Sequence, residues 1–489
     1  MKKVAFVALC LVNTFACAAT EFHVKAIGDF SPWAWSSPNQ IAGVSYSENG
    51  PSSIVVYEAG NLTNLGNPTD ATSIAPMAIN ASGQIVANAY TTQGTKSYLI
   101  EGAAWTPIQI PRQSSYSPYL LVGATHARGL TNDGIVYGWY DATNSSGSAS
   151  AGFIYHNGVY RDLYDEVPVQ HSRVVGISSD NTILINTHKA GGGDYSVIAK
   201  GTQGSDVFTN PHNEKYGEIK AVALNGEGGF AGNLSTPEGR RVFRVDVDGS
   251  YRELPAPSLP TPTGDMPIST RMYLSENSTP TNLRAMNASG TITGTIENTE
   301  YVFHAMQGPD GTLLTAGSGS LLVDGRAFVE RQGMVEVLPL PFDLSDPTAN
   351  LSFDQISAAG INDVGTVWGT ISHTDYFYQI VEMGDVGQPV YALNVTSTTT
   401  DTAFVQTNIG GFDIKALLDQ AVGVSHYSVN VIDVDDHNNV LVQAWEDANT
   451  VSPRAYVLTP VHEPETYALM LAGLGWVGLV ARRRKRQFA

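Results

Sequence analysis

Six side chains with metal-binding atoms crowd into seven consecutive positions: Asp433, Asp435, Asp436, His437, Asn438 and Asn439. Oxygen donors at alternate positions match part of a calcium loop, where carboxylates converge on one hard cation. Here His437 takes the third ligand position and no Gly follows it. The same residues suit a tight turn, because Asp and Asn bond their own backbone. Turn chemistry is the preferred reading, and Asp433, Asp435 and Asp436 stand as weak metal candidates. Asp246-Val247-Asp248-Gly249 carries the same ambiguity. Tryptophans at 33, 35, 105, 139, 368 and 445 could offer platforms to sugar faces or could fill space between packed sheets, and the second role is favoured. Histidines are scattered, at 126, 156, 171, 188, 212, 304 and 373, without an H-E-x-x-H spacing. No G-x-S-x-G or phosphate-binding loop is present. A pair of carboxylates for glycoside hydrolysis stays open among many, but nothing marks two of them. The expectation is a chain without catalysis and without a cofactor.

The elements that must position these groups come from internal repeats. Ala78-Ile79-Asn80-Ala81-Ser82-Gly83 leads into Gln84-Ile85-Val86-Ala87, and similar pieces are centred on Thr131, Ser178, Asn225, Asn287, Asn362 and Asp435. A weaker copy ends at Ile41-Ala42-Gly43. An aliphatic residue closes one strand, Asn and Gly make the turn, and an alternating run opens the next strand. The Gly that ends several copies, as at 138, 232, 294 and 369, allows a bulge or a close approach. A second hairpin follows most copies, as at Val242–Val245 through Gly249 to Leu254. Each unit therefore holds about four strands. The turn residues are spaced 51, 47, 47, 62, 75 and 73 residues apart. Four strands in roughly 40–50 residues is the spacing of a propeller blade. The longer gaps require insertions or an unrecognised blade. Residues 255–267 are one Pro-rich candidate, and 390–406 suggests an extra hairpin. The expected fold is all-β, a propeller of about seven four-stranded blades over residues 20–460.

These units resemble the HAF repeat of bacterial secreted proteins. Ala78 to Ala87 and Gly360 to Gly369 match its "A-x-x-I-N-x-x-G-x-V-x-G" half. Ala327-Phe328 and Arg454-Ala455-Tyr456-Val457 match its "A-F" half, and His304-Ala305 comes close to its name. The resemblance implies a propeller-like fold and no activity.

The two ends carry addresses. Lys2 and Lys3 precede the apolar run Val4 to Val12, and Ala16, Ala18 and Ala19 follow. That is a secretory signal peptide over residues 1–19. Cys17 raises a lipoprotein reading, which Thr14-Phe15-Ala16 fits poorly. Cys10 and Cys17 are the only cysteines, so a chain cut after Ala18 or Ala19 has no thiol chemistry and no disulfide. Residues 461–489 hold three parts in order. They are the short motif Glu463-Pro464, an apolar run from Tyr467 to Ala481, and the cluster Arg482, Arg483, Arg484, Lys485 and Arg486. A helix can place the apolar run in a bilayer, and the basic cluster stays on the cytoplasmic side. This end resembles the PEP-CTERM sorting signal of Gram-negative bacteria, with His462 where that motif has its first Pro. The resemblance implies a transient inner-membrane transmembrane helix. It also implies recognition of Glu463 and Pro464 by exosortase, a transpeptidase that accompanies exopolysaccharide machinery. A plain C-terminal anchor is the other reading.

The chain has 489 residues, 42% hydrophobic and 15% charged, with 48 Gly. Its formal net charge of −19 falls to about −26 when Lys2, Lys3 and the five tail cations are removed. Such a surface disfavours nucleic acid and suits cations or neutral glycans. The expected role is an exported structural or adhesive protein of the cell surface or exopolysaccharide matrix. The alternative is an extracellular carbohydrate-active enzyme on the same scaffold. Carboxylates around the channel of the propeller would favour the enzyme, and an apolar mouth would favour the matrix role.

Overall fold

The computed structural model describes residues 22–47, 50–110, 121–144, 147–163, 171–188, 195–201, 204–208, 218–237, 239–255, 271–273, 281–302, 305–315, 320–344, 346–349, 351–382, 391–408, 410–450 and 452–461. The signal region, Glu463, Pro464, the expected sorting helix and the basic cluster lie outside them. Among the described residues no helix is long and apolar enough to cross a membrane. Residues 26–457 form one compact body. Of a second unit only residues 22–25 and 458–461 are described.

The large body is an all-β repeat structure with a β-propeller arrangement. Four-stranded antiparallel blades follow one another at 31–66, 71–107, 121–162, 171–208, 219–253, 281–337 and 351–413. An eighth contains Ser428–Val434, Val440–Trp445 and Arg454–Pro460, with Phe22–Asp29 as its fourth strand. Blades three and four share a sheet through one parallel bridge, Ser150 to His171, and blades six and seven through Gly325 to Gln355. The first strands of all eight blades neighbour one another in sequence, and the eighth returns to the first. That circle of strands is the inner edge of the propeller.

Among the described residues the count is eight, not the expected seven or so. The weak copy ending at Gly43 is a full blade whose first turn is short, between Ser31–Ser37 and Gln40–Ser47. The last blade needed a strand from the other end of the chain, which local spacing does not reveal. The extra hairpin expected at 390–406 is also corrected. Tyr391–Thr407 is the third strand of blade seven, paired along its whole length with Val367–Glu382. A helix of nine residues, Ile414–Val422, leads to blade eight. Asp413 caps its start and Gly423, at φ 74°, ends it.

The core lies between blades. Ile54 and Ala42 of blade one pack with Ile74 and Ile85 of blade two. Phe230 and Phe243 of blade five pack with Leu184 and Val197 of blade four. Phe30, Ile41 and Tyr57 meet Leu441 and Val457, closing blade eight on blade one. Second strands face neighbours on both sides, which is why Ile85 to Ala89 are all buried.

Candidate functional site

The repeat motif builds a belt of turns at one end of the blades. In blade two the Asn80 Oδ1 accepts from the backbone N–H of Ser82 and Gln84 at 3.2 and 3.0 Å. Its Nδ2 donates to the Thr131 carbonyl of blade three at 3.2 Å. Asn287 Nδ2 reaches the Asn362 carbonyl at 2.8 Å, and Asn362 Nδ2 the Asp435 carbonyl at 2.7 Å. The Gly of the turn has φ of 81° at 83 and 86° at 365, a conformation that favours Gly. The Gly that ends the motif answers a different need. Each first strand has a bulge there, and a Cβ on Gly369 would overlap the Ser357 carbonyl oxygen across the ladder.

The Asp433 cluster belongs to this belt. Asp435 Oδ1 accepts from the N–H of His437 and Asn439 at 2.9 and 2.8 Å. Asp436 Oδ1 accepts from Asp363 N at 2.8 Å. Asp433 Oδ2 accepts from Trp35 Nε1 of blade one at 2.8 Å, and its Oδ1 from Val434 N at 2.9 Å. The three carboxylates each serve a separate donor and do not converge on one point. Burial pushes the Asp433 carboxyl up to about 6; its two hydrogen bonds oppose this, and Asp435 and Asp436 add to it.

A second set of contacts joins the blades nearer mid-strand. Asn88 takes Ala127 of the next blade by both its N–H and its C=O, each at 2.9 Å. Asn186 does the same to Ala221 at 2.8 Å, and Asn233 accepts from Leu283 N at 2.8 Å. All three stand eight residues after the turn residue of their own blade, 88 − 80, 186 − 178 and 233 − 225. This clamp escaped the motif reading, and alignment of the repeats at that offset finds it. Trp139 occupies the same position in blade three. Its ring stacks on His126, with centroids 5.2 Å apart, and the Arg173 guanidinium of blade four lies 5.0 Å from the ring centroid. Trp368 is buried against Gly360. Both rings are thus committed to packing. Trp33, 47% exposed, has the open face that a sugar platform needs.

Two ionic clusters were not legible in the sequence. Glu330 is fully buried and is held by Arg244 and Arg252 of blade five, each at 3.2 Å, and by Gly333 N. His373 is buried between Asp354 at 2.6 Å and Asp375 at 2.9 Å. Burial disfavours its charge, but the two carboxylates outweigh that and hold its pKa above the usual value. Ser352 donates to Asp375 rather than to His373, so no Ser-His-Asp relay forms.

The inner edge is the natural place for a ligand in this arrangement. The bulge residues of the eight first strands are Trp33, Met77, Arg128, Val175, Val222, Arg284, Ala359 and Ile432. None is a carboxylate. Over the whole length of these strands only Asp354 and Asp433 carry one, and both are engaged as described. Between blades four and five a cavity of about 350 Å³ opens at the end opposite the turn belt. His171, Arg173, His188, Glu218 and Lys220 line it with Ser150, and the rings of His171 and His188 are 5.4 Å apart. Burial holds the His171 pKa below its usual value, and the neighbouring His188 and Arg173 lower it further.

No protein-family model matches the sequence, and no curated protein matches it. Solved structures do. TolB from Acinetobacter baumannii is 15% identical over 47% of this chain, with a TM-score of 0.29, and the chain spans 54% of its length. The fungal lectin of Aleuria aurantia, a six-bladed β-propeller with fucose recognition, is 13% identical over 65% of this chain and 97% of its own, with a TM-score of 0.25. A gluconolactonase from Xanthomonas campestris is 11% identical over 66% and 93%, with a TM-score of 0.26. These proteins include a lectin and an enzyme, and likeness at this level says nothing of which role this chain has.

Proposed function

We propose that the chain is an exported cell-surface or matrix protein that binds polysaccharide without turning it over, and that exosortase processes its tail at Glu463-Pro464. The carrying observation is the ordered C-terminus: motif, apolar run, then Arg482 to Arg486. The body supports a binding role. Its inner strands lack a free pair of carboxylates for acid–base hydrolysis among the described residues. Its blades expose Trp33 and hold an open cavity between blades four and five. Intact mass of the exported protein tests the tail, and loss of everything beyond Glu463-Pro464 is expected. Full-length protein as the sole stable form refutes processing. For the body, the exported chain is incubated with the host's own exopolysaccharide, followed by pull-down and a reducing-end assay. Retention without new reducing ends is expected. New ends that vanish when Asp354 or Asp433 is replaced support the enzyme instead.

A further inference from the structure

The chain is acidic overall, yet its inner strands are basic. The first strands of blades three to six carry Arg128, Arg173, Lys220 and Arg284 together with His126 and His171, and no carboxylate. On a chain of net charge −19 this is a local reversal of sign. Among the described residues neither Arg173 nor Lys220 pairs with a carboxylate. Arg173 instead has its guanidinium over the Trp139 ring, 5.0 Å from the ring centroid, a cation–π contact that holds the group beside the cavity. Both cations line the cavity between blades four and five, with the two imidazoles beside them. An arginine held at the cavity wall with a lysine nearby is donor chemistry for an oxyanion.

The geometry points to this cavity as a site for a carboxylate-bearing sugar, a hexuronic acid unit within an acidic glycan. Arg173 and Lys220 take the carboxylate. Glu218 at the rim accepts hydrogen bonds from sugar hydroxyls, and its negative charge disfavours a dianion such as phosphate. A volume of about 350 Å³ sits at the lower end of small-ligand sites and suits one or two sugar rings. A second cavity, of about 170 Å³, shares Glu218 and Lys220 and continues along Asn233, Ser235, Arg240 and Asn282. Successive residues of an oligosaccharide can therefore lie along blades four to six, with Lys220 between two subsites.

This inference deepens the matrix reading by naming the ligand class, and it rests on that reading only for where the glycan comes from. The test is titration of the exported chain with a uronic-acid oligosaccharide, an uncharged hexose oligosaccharide of equal length, and inorganic phosphate. Lys220→Gln and Arg173→Gln are titrated alongside. Lys220→Gln changes an exposed side chain and keeps the fold, so it decides the case even if Arg173→Gln loosens the Trp139 contact. The acidic sugar is expected to bind at least about tenfold tighter than the neutral one. Each variant should lose about tenfold in Kd for the acidic sugar alone, the cost of one charge-assisted hydrogen bond. Equal binding of acidic and neutral sugars, or an unchanged Kd in Lys220→Gln, overturns the assignment. Phosphate binding as tightly as the acidic sugar overturns it too, in favour of a simple anion site. Host polysaccharide retained equally by parent and variants sinks this inference and leaves the matrix reading standing. Binding of the uronic-acid probe without retention of host polysaccharide does the reverse.

Discussion

Replacing Asp433 by asparagine should change how the stability of the propeller depends on pH, and the sign is fixed by where the proton sits. Asp433 holds its proton up to about pH 6 in the folded chain, against an ordinary value of 3.8. Between those two values folding takes up a proton, so stability falls as pH rises, and above about 6 the loss is complete. A difference of about two pH units corresponds to about 3 kcal/mol. The carboxylate keeps a partial opening to water, which screens some of this, so about 2 kcal/mol is the working figure. The asparagine side chain cannot ionise. Its single carbonyl oxygen serves either Trp35 Nε1 or Val434 N, so the variant loses one hydrogen bond, about 1 kcal/mol at any pH. Urea unfolding of parent and Asp433→Asn at pH 4, 5, 6 and 7 measures both parts. The variant should be the less stable at pH 4 and should gain about 2 kcal/mol on the parent by pH 7. Taking differences removes carboxylates such as Asp180 and Asp419, whose lowered pKa values act in the opposite direction. A difference between parent and variant that stays constant from pH 4 to 7 refutes the argument.

Three further outcomes are expected. Gly369→Ala should destabilise by about 1–3 kcal/mol in thermal unfolding, because its Cβ meets the Ser357 carbonyl oxygen, whereas Ala at Gly226, where a Cβ would meet only ordinary contacts at 3.6 Å, should cost less. Asn88→Ala leaves the N–H of Ala127 with Ser97 alone and its C=O without the carboxamide, and should cost about 1–3 kcal/mol by urea titration. His373 gains charge stabilisation from Asp354 and Asp375 on folding, so its contribution is full below pH 6.5 and is lost as pH rises through its raised pKa. A nuclear magnetic resonance titration should find that imidazole protonated above the ordinary range, and His373→Gln should remove the matching slope in stability.

The turn chemistry was legible because it is local. Asn80 and Gly83 lie three residues apart and define a hairpin by themselves. The same local reading found four strands per unit and the Gly that meets a bulge. The count of blades was less legible, because insertions stretch blades six and seven. In blade seven Val367–Glu382 and Tyr391–Thr407 run past the length of an ordinary blade strand. The cavity was not legible at all. His171 and His188 come from one blade, Glu218 and Lys220 from the next, and Ser150 from the one before. No spacing in the sequence connects them. Trp139 shows the limit from the other side: its type left sugar platform and space-filler both open, with the second favoured, and only its neighbours His126 and Arg173 show what the ring packs against.

The borrowed strand of blade eight sets an order of events. Blades one to seven are runs of neighbouring hairpins, and each can form once its own 35–65 residues are available. Blade eight cannot. Asp29 meets Arg454 at 2.7 Å across 425 residues of chain, so the ring stays open until nearly the whole sequence has emerged. If the chain is exported as proposed, N-terminal end first, Phe22–Asp29 waits as an unpaired edge while everything else folds behind it. An open ring has two bare edges and can accept a strand from a second copy at either one. Holding the C-terminal end back at the membrane until closure would keep such half-made rings apart. Under the proposed tail anchoring, the time spent tethered is also the time the chain needs to find its own first strand.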